Sequence, residues 1–225
     1  MIRPAVTARR IGTEAQPIAI IDGFHPDPDA LRAHAGRAAF ESGRNHYPGI
    51  RAPLPPAYFA DIRPALAATL AGVFDHAGPL SLIDASYAMV TTPPARLTVP
   101  QRLPHVDAID ADRVALVHFL DPQGNDGTAF YRHRSTGFET LDPTRAPAYR
   151  TRLTDEVRRS GAPAAAYMTG STPLFEQIAS IEARYNRAIL YRSALLHSGA
   201  IAPDAVLSDD PALGRLTVTA FLLLR

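Results

Sequence analysis

His105 and Asp107 stand two positions apart in "RLPHVDAIDADRVALVHFLD", residues 102–121, and His197 lies far downstream in "LYRSALLHSGA". On an extended chain, side chains two apart point the same way and sit about 6.5 to 7 Å from each other. A His-x-Asp pair at a strand end, where the chain curves, can therefore aim a nitrogen and an oxygen at one ion. A third donor from a distant strand end would complete one face of an octahedral ion. Three positions then stay open, the arrangement associated with non-haem Fe(II) oxygenases, with room for a bidentate 2-oxo acid and then dioxygen. The same tripeptide also describes a capping aspartate beside a surface histidine.

The last apolar segment, "GRLTVTAFL", adds a second element. Arg215, Thr217 and Thr219 alternate with Leu216, Val218 and Ala220, so an arginine and two hydroxyls share one face of a strand. An inward arginine keeps its charge and needs an anionic partner. The distal carboxylate of 2-oxoglutarate would serve, in a bidentate pair assisted by a threonine hydroxyl. A strand that merely starts with a solvated arginine is the plainer alternative.

Composition removes other chemistries. All 23 basic residues are arginine, because the chain has no lysine, and they nearly cancel 22 acidic residues to leave a net charge of +1. Nothing in that balance calls for nucleic acid or an anionic membrane as partner. The absence of lysine excludes a Schiff base or an internal aldimine. The absence of cysteine excludes thiol nucleophiles, iron–sulfur clusters, disulfides and cysteine-bound zinc. Ser193 and Ser198 lie in no GxSxG elbow, which argues against a serine hydrolase. The N-terminal apolar patch "IAII" is too short for a secretory signal, and no run approaches the ~18 apolar residues that span a bilayer. The reading is a soluble, cytoplasmic protein of one domain acting on a small molecule, its oligomeric state open.

The elements that would position these residues follow from periodicity. "PIAIIDGF" (17–24) reads as a buried strand. A helix follows from Pro28, capped by Asp27 and stopping near Gly43. "RNHYPGIRAPLPP" is a proline-rich loop whose Asn45, His46, Tyr47 and Arg51 could rim a site. A second helix covers "AYFADIRPALAATLAGVFDHAG", restarted at Pro64. From residue 80 the chain turns to strands: "LSLIDASYAMVTT", "RVALVHFLD", and "TAFYRHR" returning across a hairpin-type Asp-Gly turn. "APAYRTRLTDEVRRSG" reads as an inserted surface helix, and two strands meet at Asn186 before the closing strand. The expectation is an α+β fold with a β-sandwich or jelly-roll core: residues 1–79 a helical support region, 80–225 roughly eight short strands.

These patterns together resemble the Fe(II)- and 2-oxoglutarate-dependent dioxygenase superfamily, in particular its prolyl-4-hydroxylase-like branch. The resemblance rests on His105-x-Asp107, His197 and Arg215 in that order. It rests also on "GNDGTAFYRHR", which resembles the branch's glycine-rich turn and "GGT-x-FY" strand, and on "YNRAILYRSALLHSG", which resembles its "NR-x-(apolar)3-Y…HSG" segment. It covers residues 80–225. It implies a double-stranded β-helix (cupin-like jelly roll) with the N-terminal helices packed on one sheet, Fe(II) bound by His105, Asp107 and His197, and Arg215 with Thr217 anchoring 2-oxoglutarate. The reaction it implies is decarboxylation of 2-oxoglutarate with O2, coupled to hydroxylation of an unactivated C–H bond in a small-molecule or amino-acid-like substrate. Tyr87 and Tyr131 are candidates for a hydrogen bond to the cosubstrate, while His118 and His133 read as structural. Asp107 argues against halogenation, since related halogenases have no carboxylate there. In many members the anchoring residue follows the distal histidine more closely than Arg215 follows His197, so a longer loop must intervene here. Two rival readings are a cupin-type metal-dependent hydrolase or isomerase, which has no use for Arg215, and a non-catalytic β-sandwich module.

Overall fold

The computed structural model describes residues 4–43, 47–124 and 126–225. Two antiparallel sheets form the frame. The large one has eight strands in the order β1-β2-β9-β6-β11-β5-β4-β3, and the small one has three in the order β10-β7-β8. The strands are β1 (Ala5–Ile11), β2 (Gln16–Asp22), β3 (Glu41–Ser42), β4 (Gly49–Ala52), β5 (Leu80–Val90), β6 (Arg113–Phe119), β7 (Gly127–His133), β8 (Phe175–Glu182), β9 (Arg187–Arg192), β10 (His197–Ala200) and β11 (Leu216–Leu224). From β5 onward the chain passes back and forth between the sheets, with the bridge from His105 to His197 adding an outer rung to the small one. That winding is a jelly roll.

Alternation along each central strand divides the large sheet's two faces. Leu216, Val218, Ala220 and Leu222 of β11 pack on one side with Leu31 and Ala35 of α1 (Pro28–Ala35) and with Ile62, Leu66 and Leu70 of α2 (Tyr58–Phe74). The other side faces the small sheet, where Ala115, Phe119, Ile189 and Tyr191 meet Phe130 and Ile181. Arg215, Thr217 and Thr219 belong by alternation to this inner face. A third helix, α3 (Arg145–Ser160), lies outside the small sheet and shares a cluster with Tyr131 and Phe175 through Tyr149.

Several expectations change. The residues before 80 contribute four strands to the large sheet besides their two helices. β1 is an exposed edge strand of sequence AVTARRI, with no apolar alternation to betray it. α1 ends at Ala35, capped by Gly36, not near Gly43. α2 runs unbroken through Pro64. The Asp-Gly turn does not close a hairpin, because β6 and β7 belong to different sheets. Gly127 instead allows close approach to β8, where a Cβ would stand 2.0 Å from the Ile181 carbonyl oxygen. The expected junction at Asn186 is present in left-handed conformation, φ 58°. Its backbone and side chain bond Phe24, His25, His118 and Phe119.

Candidate metal centre

The segment carrying His105 and Asp107 is clipped to the start of β10. His105 and His197 exchange both backbone hydrogen bonds at 2.9 Å, and the Asp107 amide donates to the Ser193 carbonyl at 2.9 Å. Paired residues of this kind project side chains to one face, and the two imidazole centroids stand 4.4 Å apart. Asp107 lies between them, with Oδ1 3.8 Å from His105 Nε2 and Oδ2 3.4 Å from His197 Nε2. One donor atom from each residue fits within a span of 4.8 Å, the one such cluster found among the described residues.

The protonation states suit cation binding. His197 Nδ1 donates to the Leu195 carbonyl at 2.8 Å, which leaves the Nε2 lone pair facing Asp107. Burial lowers His197 to about 4. His105 also falls to about 4, through loss of solvation first and repulsion from His197 second, although its side chain keeps 56% of its surface open. Both imidazoles are therefore neutral donors at neutral pH. Burial pushes Asp107 up to about 6 against the attraction of His105, Arg51 and Arg113. Its Oδ2 is buried with no hydrogen-bond partner among the described residues, a deficit that a cation would remove. Two neutral imidazoles and one carboxylate fit a divalent first-row metal such as Fe(II).

The remaining candidates separate. Arg215 is inside, as expected, but its guanidinium is already engaged: Nε with the Asp126 carboxylate, and an NH2 group with the Gly127 carbonyl at 3.0 Å. Thr217 donates to the Ala88 carbonyl at 3.0 Å. Tyr87 faces the helices, where its hydroxyl donates to the Leu31 carbonyl at 2.9 Å. Tyr131 points to the opposite side of the small sheet, against Tyr149 and Phe175. Strand alternation puts both tyrosines on the far faces of their sheets, which corrects their assignment to the cosubstrate. His118 and His133 are structural: His118 is held by Tyr58 and Asn186, His133 by Thr136 and Glu156. Asn45 and His46 lie outside the described residues.

Two inner-face residues were not singled out from the sequence. Tyr191 packs edge-on against His197, centroids 4.8 Å apart, and against Phe130 at 5.1 Å. Its phenol lies within electrostatic reach of both Asp107 and Arg215. The segment "YNRAILYR" contained it, and counting alternation on from Ile189 would have turned it inward. Asp126 was hidden by the turn motif around it.

A two-sheet jelly roll with a His, Asp, His cluster at the junction of its sheets is thus the class the fold and site define. A family pattern matches residues 2–222, and the chain belongs to that family, described as "Family of unknown function (DUF6445)". No curated protein matches the sequence. Among solved structures, apo HygX from Streptomyces hygroscopicus is 13% identical with a TM-score of 0.49, over 94% of this chain and 83% of that one. An N-substituted L-amino acid dioxygenase from Burkholderia ambifaria AMMD is 13% identical with a TM-score of 0.48, over 99% and 96%. AviO1 from Streptomyces viridochromogenes Tue57 is 12% identical with a TM-score of 0.47, over 98% and 89%. No helix among the described residues is long and apolar enough to cross a membrane.

Proposed function

We propose that the protein is an Fe(II)- and 2-oxoglutarate-dependent oxygenase that hydroxylates a C–H bond of a small molecule. The observation that carries the reading is the buried, unpartnered Oδ2 of Asp107 between two neutral imidazoles. Bound Fe(II) would supply the coupling of 2-oxoglutarate, O2 and R–H to succinate, CO2 and R–OH. The chain's own residues do the positioning. His105, Asp107 and His197 hold one face of the ion and leave the rest to ligands. The Leu195 carbonyl fixes the His197 tautomer. Phe130 and Tyr191 wall the inner side next to His197 and keep bulk water from it. The Asp107 carboxylate favours hydroxylation over halogenation, and the "GNDGTAFYRHR" and "HSG" segments favour the prolyl-4-hydroxylase-like branch. The test is metal stoichiometry under anaerobic conditions: wild-type protein takes up one Fe(II) per chain and Asp107→Ala takes up none. Equal uptake by the two would refute it.

A further inference from the structure

The oxygenase reading requires a cation for the distal carboxylate of the 2-oxo diacid, and the expected one is occupied. Arg215 and Asp126 form an ion pair whose side chains are 10% and 8% exposed. Freeing Arg215 would leave the Asp126 carboxylate buried and uncompensated, a heavy penalty. Arg187, further along the same strand rows, is likewise bound by both carboxylate oxygens of Asp22.

Arg51 differs. It lies on β4 in register with Ala88 of β5, and Ala88 is in turn opposite Thr217 of β11. That register puts it on the inner face, in the row that carries Thr217. Its guanidinium lies 3.5 Å from the exposed Asp84 carboxylate, and by alternation along β5 Asp84, Ser86 and Ala88 share one face. The Arg51 Nε is buried with no hydrogen-bond partner among the described residues, and its guanidinium stacks over the Tyr47 ring at 4.6 Å. Ser86 and Thr219 are cross-strand partners on the same face. The hydroxyls of both are buried and unpartnered among the described residues. One cation and two orphan hydroxyls thus share the inner face of the large sheet. Among the described residues the one ion pair Arg51 makes is with a solvent-facing aspartate at loose distance, worth little, and the field of Arg51 also reaches the Asp107 carboxylate.

We propose that Arg51, with the hydroxyls of Ser86 and Thr219, receives the distal carboxylate of the 2-oxo diacid in place of Arg215. The planar guanidinium suits a bidentate carboxylate, and Tyr47 beneath it holds the fork in place. Arg215 and Asp126 then serve as a neutral strut that ties β11 to the start of β7. This rests on the oxygenase reading.

The test compares 2-oxoglutarate with 2-oxopentanoate, in which a methyl group stands in place of the distal carboxylate. Dissociation constants are read anaerobically from the visible charge-transfer band of the Fe(II) complex. Wild-type protein should prefer 2-oxoglutarate by at least about 100-fold. Arg51→Gln should cut the preference below about 5-fold, and Arg51→Lys should restore part of it. The double variant Asp126→Asn/Arg215→Gln, which leaves neither charge buried alone, should keep it. Unchanged Fe(II) affinity and melting temperature in Arg51→Gln show that the loss is local. If Arg51→Gln keeps the preference, or the double variant loses it, the assignment to Arg51 is overturned while the oxygenase reading stands. If wild-type protein gives no band with either acid, both fall.

Discussion

His105 and His197 exchange a pair of 2.9 Å backbone hydrogen bonds, so two residues far apart in sequence become cross-strand neighbours with imidazoles 4.4 Å apart. The pairing belongs to the main chain, so removing either ring leaves it intact. His197→Ala and His105→Ala should therefore fold, with metal-free melting temperatures close to wild type. Both should bind Fe(II) or Ni(II) at least about 100-fold more weakly, since second-shell losses alone reach 10- to 100-fold. Calorimetric titration of the two variants checks this.

The Arg215–Asp126 pair is buried on both sides, and breaking one half should cost more than removing both. Asp126→Ala leaves an uncompensated buried guanidinium and should destabilise the protein by about 3 to 5 kcal/mol. The double variant Asp126→Asn/Arg215→Gln should recover most of that. Urea denaturation of the three proteins, with m-values compared, measures it.

Glu139 pins the β1–β2 turn from across the molecule. It accepts from the Thr13 amide at 2.9 Å, the Glu14 amide at 3.0 Å and Arg132 Nε at 2.8 Å. Gly12, at φ 66°, makes room for it: a Cβ there would lie 2.0 Å from Glu139 Oε2. Gly12→Ala should cost at least about 1 to 2 kcal/mol for the left-handed backbone alone, and Glu139→Ala about 3 kcal/mol for its unpaired partners. Thermal melts of both variants provide the check.

Acid should destabilise the fold through His118. Burial lowers its pKa to about 3, while the Asn186 hydrogen bond opposes the shift, so the folded ring stays neutral where the unfolded one, at about 6.5, takes a proton. Its contribution is complete above pH 6.5 and is lost as pH falls toward 3, at up to about 1.4 kcal/mol per unit. Glu139 acts in the same direction: burial would raise it, but the amides of Glu14 and Thr13 and the Arg132 guanidinium lower it on balance. Its stabilisation is lost as pH drops below the ordinary glutamate range. Melting temperatures of wild type and His118→Gln between pH 7 and 4 should diverge, with the shallower slope in the variant.

The parts of this molecule governed by local periodicity were legible in its sequence. α3, the strand junction at Asn186 and the closing strand β11 all follow from residue spacing. The His-x-Asp pair and His197 could be named because their chemistry is rare in combination. What escaped was governed by tertiary partners. β1 is polar because it is an edge, and β3 and β4 are too short to show a period. Tyr87 and Tyr131 were placed in the site by residue type, whereas strand alternation had already turned both outward. Arg215 was read correctly as inward-facing, but its partner proved to be a residue of this chain, Asp126, which no spacing rule connects to it.

The central claim is that His105, Asp107 and His197 together present iron to a 2-oxo acid. Anaerobic protein given Fe(II) and then 2-oxoglutarate tests it most directly. Wild type should develop a visible metal-to-ligand charge-transfer band, and the His105→Ala/Asp107→Ala variant should not. No band in wild-type protein, or an undiminished band in the double variant, would contradict it.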